Sequence, residues 1–169
     1  EENIGEEKSS SALQKLKSFN SKITIQACNE KISENNLPSL LESCDGVVDC
    51  LDNFETRMIL NQAILKSKIP LFHGACAGFE GRLTTIIPGK TPCYRCIVPF
   101  PPPERKVPVI GAIPGVIGSM QALEVIKYFV GLEVLAGKLC MYDAEKYSWK
   151  IIKITKDPDC PDCGDKDEN

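Results

Sequence analysis

The chain of 169 residues, 43% hydrophobic and 25% charged, is about one domain long and can build a core, which excludes a collagen-like repeat, a disulfide mini-protein and a disordered chain. Its formal net charge of -3 supplies no basic field, so neither nucleic acid nor an anionic membrane is expected as a partner. The acidic, serine-rich start and the lack of a long apolar run predict a soluble, cytoplasmic protein.

Helical and strand patterns alternate along the first half of the chain. Helical spacing and period-two alternation of apolar residues both occur in short segments. Because parallel strands need a crossover between them, this order predicts α/β architecture: part of a doubly wound, Rossmann-like sheet covered by helices. The predicted elements are helix 8–19 ending at Asn20, strand 23–27, a helix around 37–41, buried strand 46–51, helix 54–67 and strand 69–72.

The second half of the chain has a different character. A proline-rich crossover loop, 97–108, follows the first of two cysteine pairs, and an acidic tail, 157–169, carries the second. The segments between them predict a C-terminal antiparallel extension of the sheet. The predicted elements are strand 82–87, a turn at 88–90, a helix over about 115–130 and an antiparallel pair formed by 139–143 and 149–154.

Four of the nine cysteines form two Cys-x-x-Cys pairs, Cys93 with Cys96 and Cys160 with Cys163. Two thiolates at this spacing in a tight turn reach one tetrahedral zinc ion, and four complete a closed structural site with no open position for chemistry. A redox dithiol is the alternative, but it does not explain a second matched pair. The pairs therefore predict a structural zinc ion that ties the C-terminal tail to the middle of the chain.

The other five cysteines divide into two groups. Small buried apolar residues are predicted at four of them: Cys28, Cys44, Cys50 and Cys140. Cys76 differs, because it lies in a predicted glycine-flanked loop close to His73, the only histidine of the chain. A reactive thiol is therefore kept as an alternative for Cys76 alone.

An acidic strand end, Asp52 and Asn53, precedes the third predicted helix, and Arg57 lies in the first turns of that helix. Ligands of open α/β sheets bind outside the carboxyl ends of the strands, so these side chains could meet a ligand, with Arg57 adding a cation. Equally, Asn53 or Asp52 caps the helix while Arg57 pairs with a nearby carboxylate. Spacing alone does not separate the two interpretations.

Seven segments carry a resemblance that covers nearly the whole chain, from about residue 4 to residue 164. They are 48–57, 69–74, 79–82, 92–96, 115–124, 141–143 and 160–164. In this order they closely resemble the MoeB/ThiF/HesA family, ubiquitin-activating-enzyme-like adenylyltransferases of bacteria and archaea.

This resemblance implies that ATP, with Mg²⁺, reacts with the C-terminal glycine of a ubiquitin-like sulfur carrier ending in Gly-Gly, giving an acyl adenylate for thiamine or molybdopterin-type sulfur transfer. It implies that Lys8 contacts the ATP phosphates and that Asp52 and Asn53 lie beside the nucleotide. Lys8 and Asp52 are thus the expected catalytic residues, with Arg57 as a further nucleotide-binding cation. The cysteines implied as structural zinc ligands are Cys93, Cys96, Cys160 and Cys163.

Two departures from the family pattern change the expectation. Family members carry a glycine-rich nucleotide loop upstream of the residue that matches Glu1, so residues 1–169 are interpreted as the C-terminal two-thirds of a single ThiF-type domain, with weak or no adenylation alone. Many members also carry an acceptor cysteine in the crossover loop, whereas 97–108 has none. Adenylation without a covalent acyl step at that loop is therefore expected.

Two alternative functions fit the same residues. One is a non-catalytic, zinc-stabilised scaffold that binds a partner or dimerises, and the other is adenylation of a short peptide or a tRNA base. The resemblance also implies a homodimer. The apolar stripe of the predicted helix 115–130 fits either such an interface or core packing. Its residues are Val116, Met120, Leu123, Ile126 and Val130.

Overall fold

The computed structural model describes residues 3–102 and 108–165, and the chain forms two compact units, residues 1–32 and 33–169. The predicted crossover loop and acidic tail extend outside the described residues, at 103–107 and 166–169. Within the described ranges, no helix is long and apolar enough to cross a membrane.

The first unit contains helix α1 (Lys8–Phe19), which has the predicted bounds. Asn20 ends it, as expected, and its backbone N–H donates to the Leu16 carbonyl at 3.1 Å. The strand predicted at 23–27 is wrong: the backbone there shows no strand pairing, and Ile23 is 56% exposed. Alternation supplies the side-chain pattern of a strand, but a strand also needs a neighbour that takes up its backbone hydrogen bonds.

The second unit is a mixed α/β structure, which confirms the predicted class. Its strands lie in the order β1-β2-β3-β4-β5, with β1 parallel to β2 and every other pair antiparallel. Its helices are α2 (Leu37–Leu41), α3 (Phe54–Ser67), α4 (Tyr94–Ile97) and α5 (Ala112–Phe129), and its strands are β1 (Val47–Asp49), β2 (Leu71–Ala77), β3 (Glu80–Ile86), β4 (Lys138–Asp143) and β5 (Ser148–Lys153).

The antiparallel part of the sheet begins earlier than predicted. Ala77 of β2 pairs with Glu80 of β3, so only Gly78 and Phe79 link the two strands. A two-residue link can join antiparallel neighbours but is far too short for a crossover between parallel ones. The parallel, Rossmann-like part of this sheet is therefore the single pair β1 and β2.

Helix α5 packs closely across β2 and β3. A Cβ atom on Gly81 would collide with the Ile117 side chain, and one on Gly74 would collide with the side-chain amide of Gln121. Glycine at both strand positions therefore sets how near the helix lies to the sheet. Ile117 belongs to a buried apolar cluster with Leu83, Ile113 and Cys140.

Of the predicted apolar stripe of α5, Met120 packs partly buried against the core, but the other four residues do not. The helix instead buries Ile113, Ile117, Gln121 and Glu124. The exposed members of the stripe are Val116 at 37%, Leu123 at 47%, Ile126 at 59% and Val130 at 63%. The core-packing interpretation is thus wrong for these four, and the helix presents an apolar face.

Most of the single cysteines are not where the prediction put them. Cys28, Cys44 and Cys50 are exposed, which is wrong for a set predicted to be buried, whereas Cys140 is buried as expected. Cys76 lies within β2 and not in a loop, because β2 stays paired with β3 as far as Ala77. Burial raises the pKa of the Cys76 thiol, which disfavours the reactive thiolate.

Candidate functional site

The two predicted cysteine pairs come together in the second unit. All four Sγ atoms lie within 4.8 Å of one another, and individual separations are 3.9 Å for Cys93 to Cys96, 3.7 Å for Cys93 to Cys160 and 3.4 Å for Cys96 to Cys163. Zinc bound to four sulfurs at about 2.3 Å places those sulfurs about 3.8 Å apart. The four thiols therefore fit around one tetrahedral ion.

The electrostatics of this cluster favour a cation. Burial raises the pKa of Cys93 to about 11, and burial together with the neighbouring thiols also raises the pKa of Cys163. Burial alone would also raise the pKa of Cys160, but hydrogen bonds from the backbone of Cys163 and Asp162 outweigh it, so that this pKa is lowered instead. Four thiolates side by side repel one another unless a metal ion compensates their charge and displaces the remaining protons. The donor set is soft and closed, which is the chemistry of a structural zinc site.

The local backbone holds each pair in a tight turn. The Cys96 N–H donates to the Cys93 carbonyl at 3.1 Å, and the Gly164 N–H donates to the Cys160 carbonyl at 2.7 Å. A Cβ atom on Gly164 would collide with the carbonyl oxygens of Pro158 and Cys160. The glycine after the second pair is thus required by the turn, as the sequence pattern indicates.

The carboxyl end of β1 leads into α3 through Asp52 and Asn53. The Asn53 Oδ1 accepts the Thr56 N–H at 2.8 Å and so caps the helix, while the Asn53 Nδ2 donates to Asp52 Oδ1 at 3.2 Å. The capping interpretation is confirmed for Asn53, and the same side chain orients the exposed carboxylate of Asp52. Lys8 is the exposed first residue of α1, in the other unit.

The Arg57 guanidinium is engaged in structural contacts. Its Nε lies 3.1 Å from Asp49 Oδ2, and its Nη2 donates to the Gly74 carbonyl at 3.2 Å and to the Leu51 carbonyl. The side chain is 13% exposed. Of the two interpretations of Arg57, the ion pair with a carboxylate is the one present, and contact with a nucleotide stays a prediction.

The residue missed by the site prediction is Asp49. Its side chain is 1% exposed, and Oδ2 accepts the Nδ1–H of His73 at 2.6 Å. Burial alone would raise the pKa of Asp49, but the hydrogen bond from His73 and the charge of Arg57 outweigh it and hold the pKa below 3.8. A charged residue inside the apolar run 46–51 was the available signal.

His73 is neutral at pH 7, because burial lowers its pKa below 6.5 against the opposing effect of Asp49. Its Nδ1–H donates to Asp49, which assigns the tautomer. Gln121 of α5 completes the arrangement by donating to the carbonyls of Asp49 at 2.9 Å and Phe72 at 3.0 Å. The carboxyl end of β1 is therefore held by β2, α3 and α5 together.

Comparison with known proteins places this arrangement in context. The sequence matches the ThiF family over residues 1–162. It is 35% identical over 172 residues to the SAMP-activating enzyme E1 of Haloferax volcanii, covering 98% of this chain and 63% of that protein. It is 36% identical over 177 residues to the sulfur carrier protein adenylyltransferase of Thermus thermophilus, covering 98% of this chain and 65% of that protein. The chain thus spans just under two thirds of the length of these relatives.

Among solved structures, the crystal structure of Escherichia coli MccB with MccA-N7isoASN superposes with a TM-score of 0.81. The match covers 97% of this chain and 54% of that chain at 18% sequence identity. A likeness at this level of identity shows a shared fold.

Proposed function

Because the chain belongs to the ThiF family, we propose that it serves ATP-dependent adenylation of the C-terminal glycine of a ubiquitin-like sulfur-carrier protein. The names of the two relatives, an activating enzyme and a sulfur-carrier adenylyltransferase, support this reaction class. The carrier is proposed to end in Gly-Gly and to act in thiamine or molybdopterin-type sulfur transfer.

In the proposed reaction a glycine carboxylate oxygen attacks the α-phosphorus of Mg-ATP. The bond from that phosphorus to the bridging oxygen breaks, and pyrophosphate leaves with the bond's electron pair. This chemistry needs no protein nucleophile; it needs charge neutralisation and in-line positioning. The absence of a cysteine from 97–108 is compatible with adenylation as the complete proposed step.

The observation that carries the proposal is the exposed carboxylate of Asp52 at the carboxyl end of β1. Ligands of open α/β sheets bind at this edge, and a carboxylate oxygen is the ligand that Mg²⁺ prefers. The Asn53 side chain donates a hydrogen bond to that carboxylate and is proposed to face the nucleotide together with it. Lys8 is proposed to contact the ATP phosphates, and Arg57 is proposed as a further nucleotide-binding cation.

A carrier-dependent exchange of labelled pyrophosphate into ATP tests this function in the full-length protein. Asp52→Ala should lower the exchange rate roughly 10²–10³-fold, because one group that stabilises the transition state is removed. Asp45→Ala is the matched control, since Asp45 is an exposed aspartate just before β1, and its exchange should equal wild type. Normal exchange in Asp52→Ala would sink the assignment, and no exchange by wild type with any Gly-Gly carrier would sink the function.

We also propose zinc as the ion held by the cysteine centre, which comprises Cys93, Cys96, Cys160 and Cys163. The fit of the sulfur separations and the soft donor set support it. The ion would supply a cross-link between the middle and the end of the chain and take no part in adenylation.

A homodimer is proposed through the apolar face of α5. Leu123 and Ile126 are 47% and 59% exposed there, which favours burial against a second copy. A variant with Leu123→Glu and Ile126→Glu should sediment with about half the wild-type mass, because charged side chains are disfavoured in the buried core of an interface. Ile151→Glu, at an exposed apolar residue of β5, is the control and should leave the mass unchanged. Equal masses for wild type and the double variant would contradict the dimer.

A further inference from the structure

Asp162 lies inside the second cysteine pair, and three side chains donate hydrogen bonds to it. Its Oδ2 accepts from Asn61 Nδ2 at 2.9 Å and from Arg95 Nε at 2.8 Å, and its Oδ1 accepts from Gln62 Nε2 at 3.3 Å. The Asp162 side chain is only 6% exposed. Arg95 belongs to the first cysteine pair, so this carboxylate joins the two pairs directly.

Asn61 of α3 extends the same contact. It is completely buried, and while its Nδ2 donates to Asp162, its Oδ1 accepts the backbone N–H of Tyr94 at 2.8 Å. Tyr94 directly follows Cys93, whereas Asp162 directly precedes Cys163. One buried amide on α3 therefore holds both turns that present the thiols.

A buried carboxylate is costly unless it is paired and hydrogen-bonded, and the donors around Asp162 meet that condition. Removing the carboxylate would leave the amide of Asn61 without its acceptor and Arg95 without its counter-charge. The turn at 160–163 would then lose its side-chain hydrogen bonds to Arg95 and to α3.

We propose that Asp162 is a positioning residue of the cysteine centre, which locks the second pair to the first and to α3, so that retention of the metal depends on it. The metal ion and the hydrogen bonds of Asp162 then hold the same turn, residues 160–163. Residues that do not bind a metal themselves but orient its ligands increase the affinity of a site for its metal.

The test measures zinc release from the zinc-loaded full-length protein into an excess of a chelating dye. Asp162→Ala should release zinc at least about tenfold faster than wild type. Asp162→Asn keeps an acceptor oxygen but loses the charge, so its rate of zinc release should lie between those of wild type and Asp162→Ala. Asp159→Ala is the matched control, because Asp159 is an exposed aspartate directly before Cys160, and it should release zinc at the wild-type rate. Equal rates for Asp162→Ala and Asp159→Ala would overturn the proposal.

A second measurement separates positioning from general loss of stability. Amide hydrogen exchange of the zinc-loaded Asp162→Ala and Asp162→Asn variants should be faster at Tyr94 and along 160–164, while β2 and β3 keep their wild-type protection. Equal acceleration across the sheet would show a general loosening of the fold and would overturn the proposal. If Asp162→Ala does not fold, the intermediate rate expected for Asp162→Asn is the deciding result.

Discussion

The cysteine centre and the carboxyl end of β1 both contact α3 but are built in opposite ways. In the cysteine centre the thiols face one another within 4.8 Å, and the surrounding polar groups of Asn61 and Asp162 are satisfied. At the end of β1, Asp49 is buried and paired, whereas Asp52, three residues later, is exposed. The difference separates carboxylates and thiols that hold the structure from the exposed carboxylate of Asp52, which is proposed to meet a ligand.

The largest expected effect is at the cysteine centre. Cys160→Ser should lower the zinc content from about one ion per chain to near zero, because a serine hydroxyl does not replace a thiolate ligand. Metal analysis of freshly purified protein, prepared without chelators, measures this. Cys44→Ser is the control, since Cys44 is an exposed cysteine outside the cluster, and it should keep its zinc. Full zinc content in Cys160→Ser, or far less than one ion in wild type, would refute the zinc assignment.

A smaller effect is expected at the buried end of β1. Asp49→Ala should lower the free energy of unfolding by roughly 3–5 kcal/mol, because it leaves the Arg57 charge buried without its partner. Asp52→Ala should change it by less than about 0.5 kcal/mol, since Asp52 is exposed. Urea titration measures both. Similar losses for the two variants would contradict the distinction between a buried, structural aspartate and an exposed one.

The smallest expected effect is on the pH dependence of stability. The folded pKa of His73 lies below 6.5, so its contribution is complete above pH 6.5 and is lost as the pH falls from 6.5 towards the folded value, where only the unfolded chain binds a proton. The folded pKa of Asp49 lies below 3.8, so its contribution is lost only at more acidic pH. Urea midpoints between pH 8 and pH 5 should decline in wild type. A midpoint that rises as the pH falls would contradict a neutral, buried His73.

Two helices were predictable from the sequence to the residue, whereas α5 begins three residues before the predicted 115 and the short α4 was not predicted. The bounds of α1 and α3 agree with the apolar spacing, and Asn53 caps α3 as its residue type favours. A helix satisfies its own backbone within four residues, so local sequence suffices. The two Cys-x-x-Cys turns were predictable for the same reason, because each presents its two thiols locally.

The prediction failed where a residue's environment depends on distant parts of the chain. Residues 23–27 alternate like a strand but find no pairing, and Cys28, Cys44 and Cys50 are exposed although they were predicted to be buried. The apolar residues of α5 do not by themselves show which face of the helix packs against the sheet. The close approach at Gly74 and Gly81 turns Gln121 and Ile117 inward instead.

The sequence by itself determined the class of the fold, the position of most helices and strands, the four converging thiols and the family. Only the tertiary structure decided that Asp49 is paired with Arg57 and His73, that Asp162 joins both cysteine pairs to Asn61, and that α5 presents an apolar face. Helices and tight turns satisfy their hydrogen bonds within a few residues. Burial and charge pairing, in contrast, depend on side chains that folding brings together from 8 to 101 residues apart.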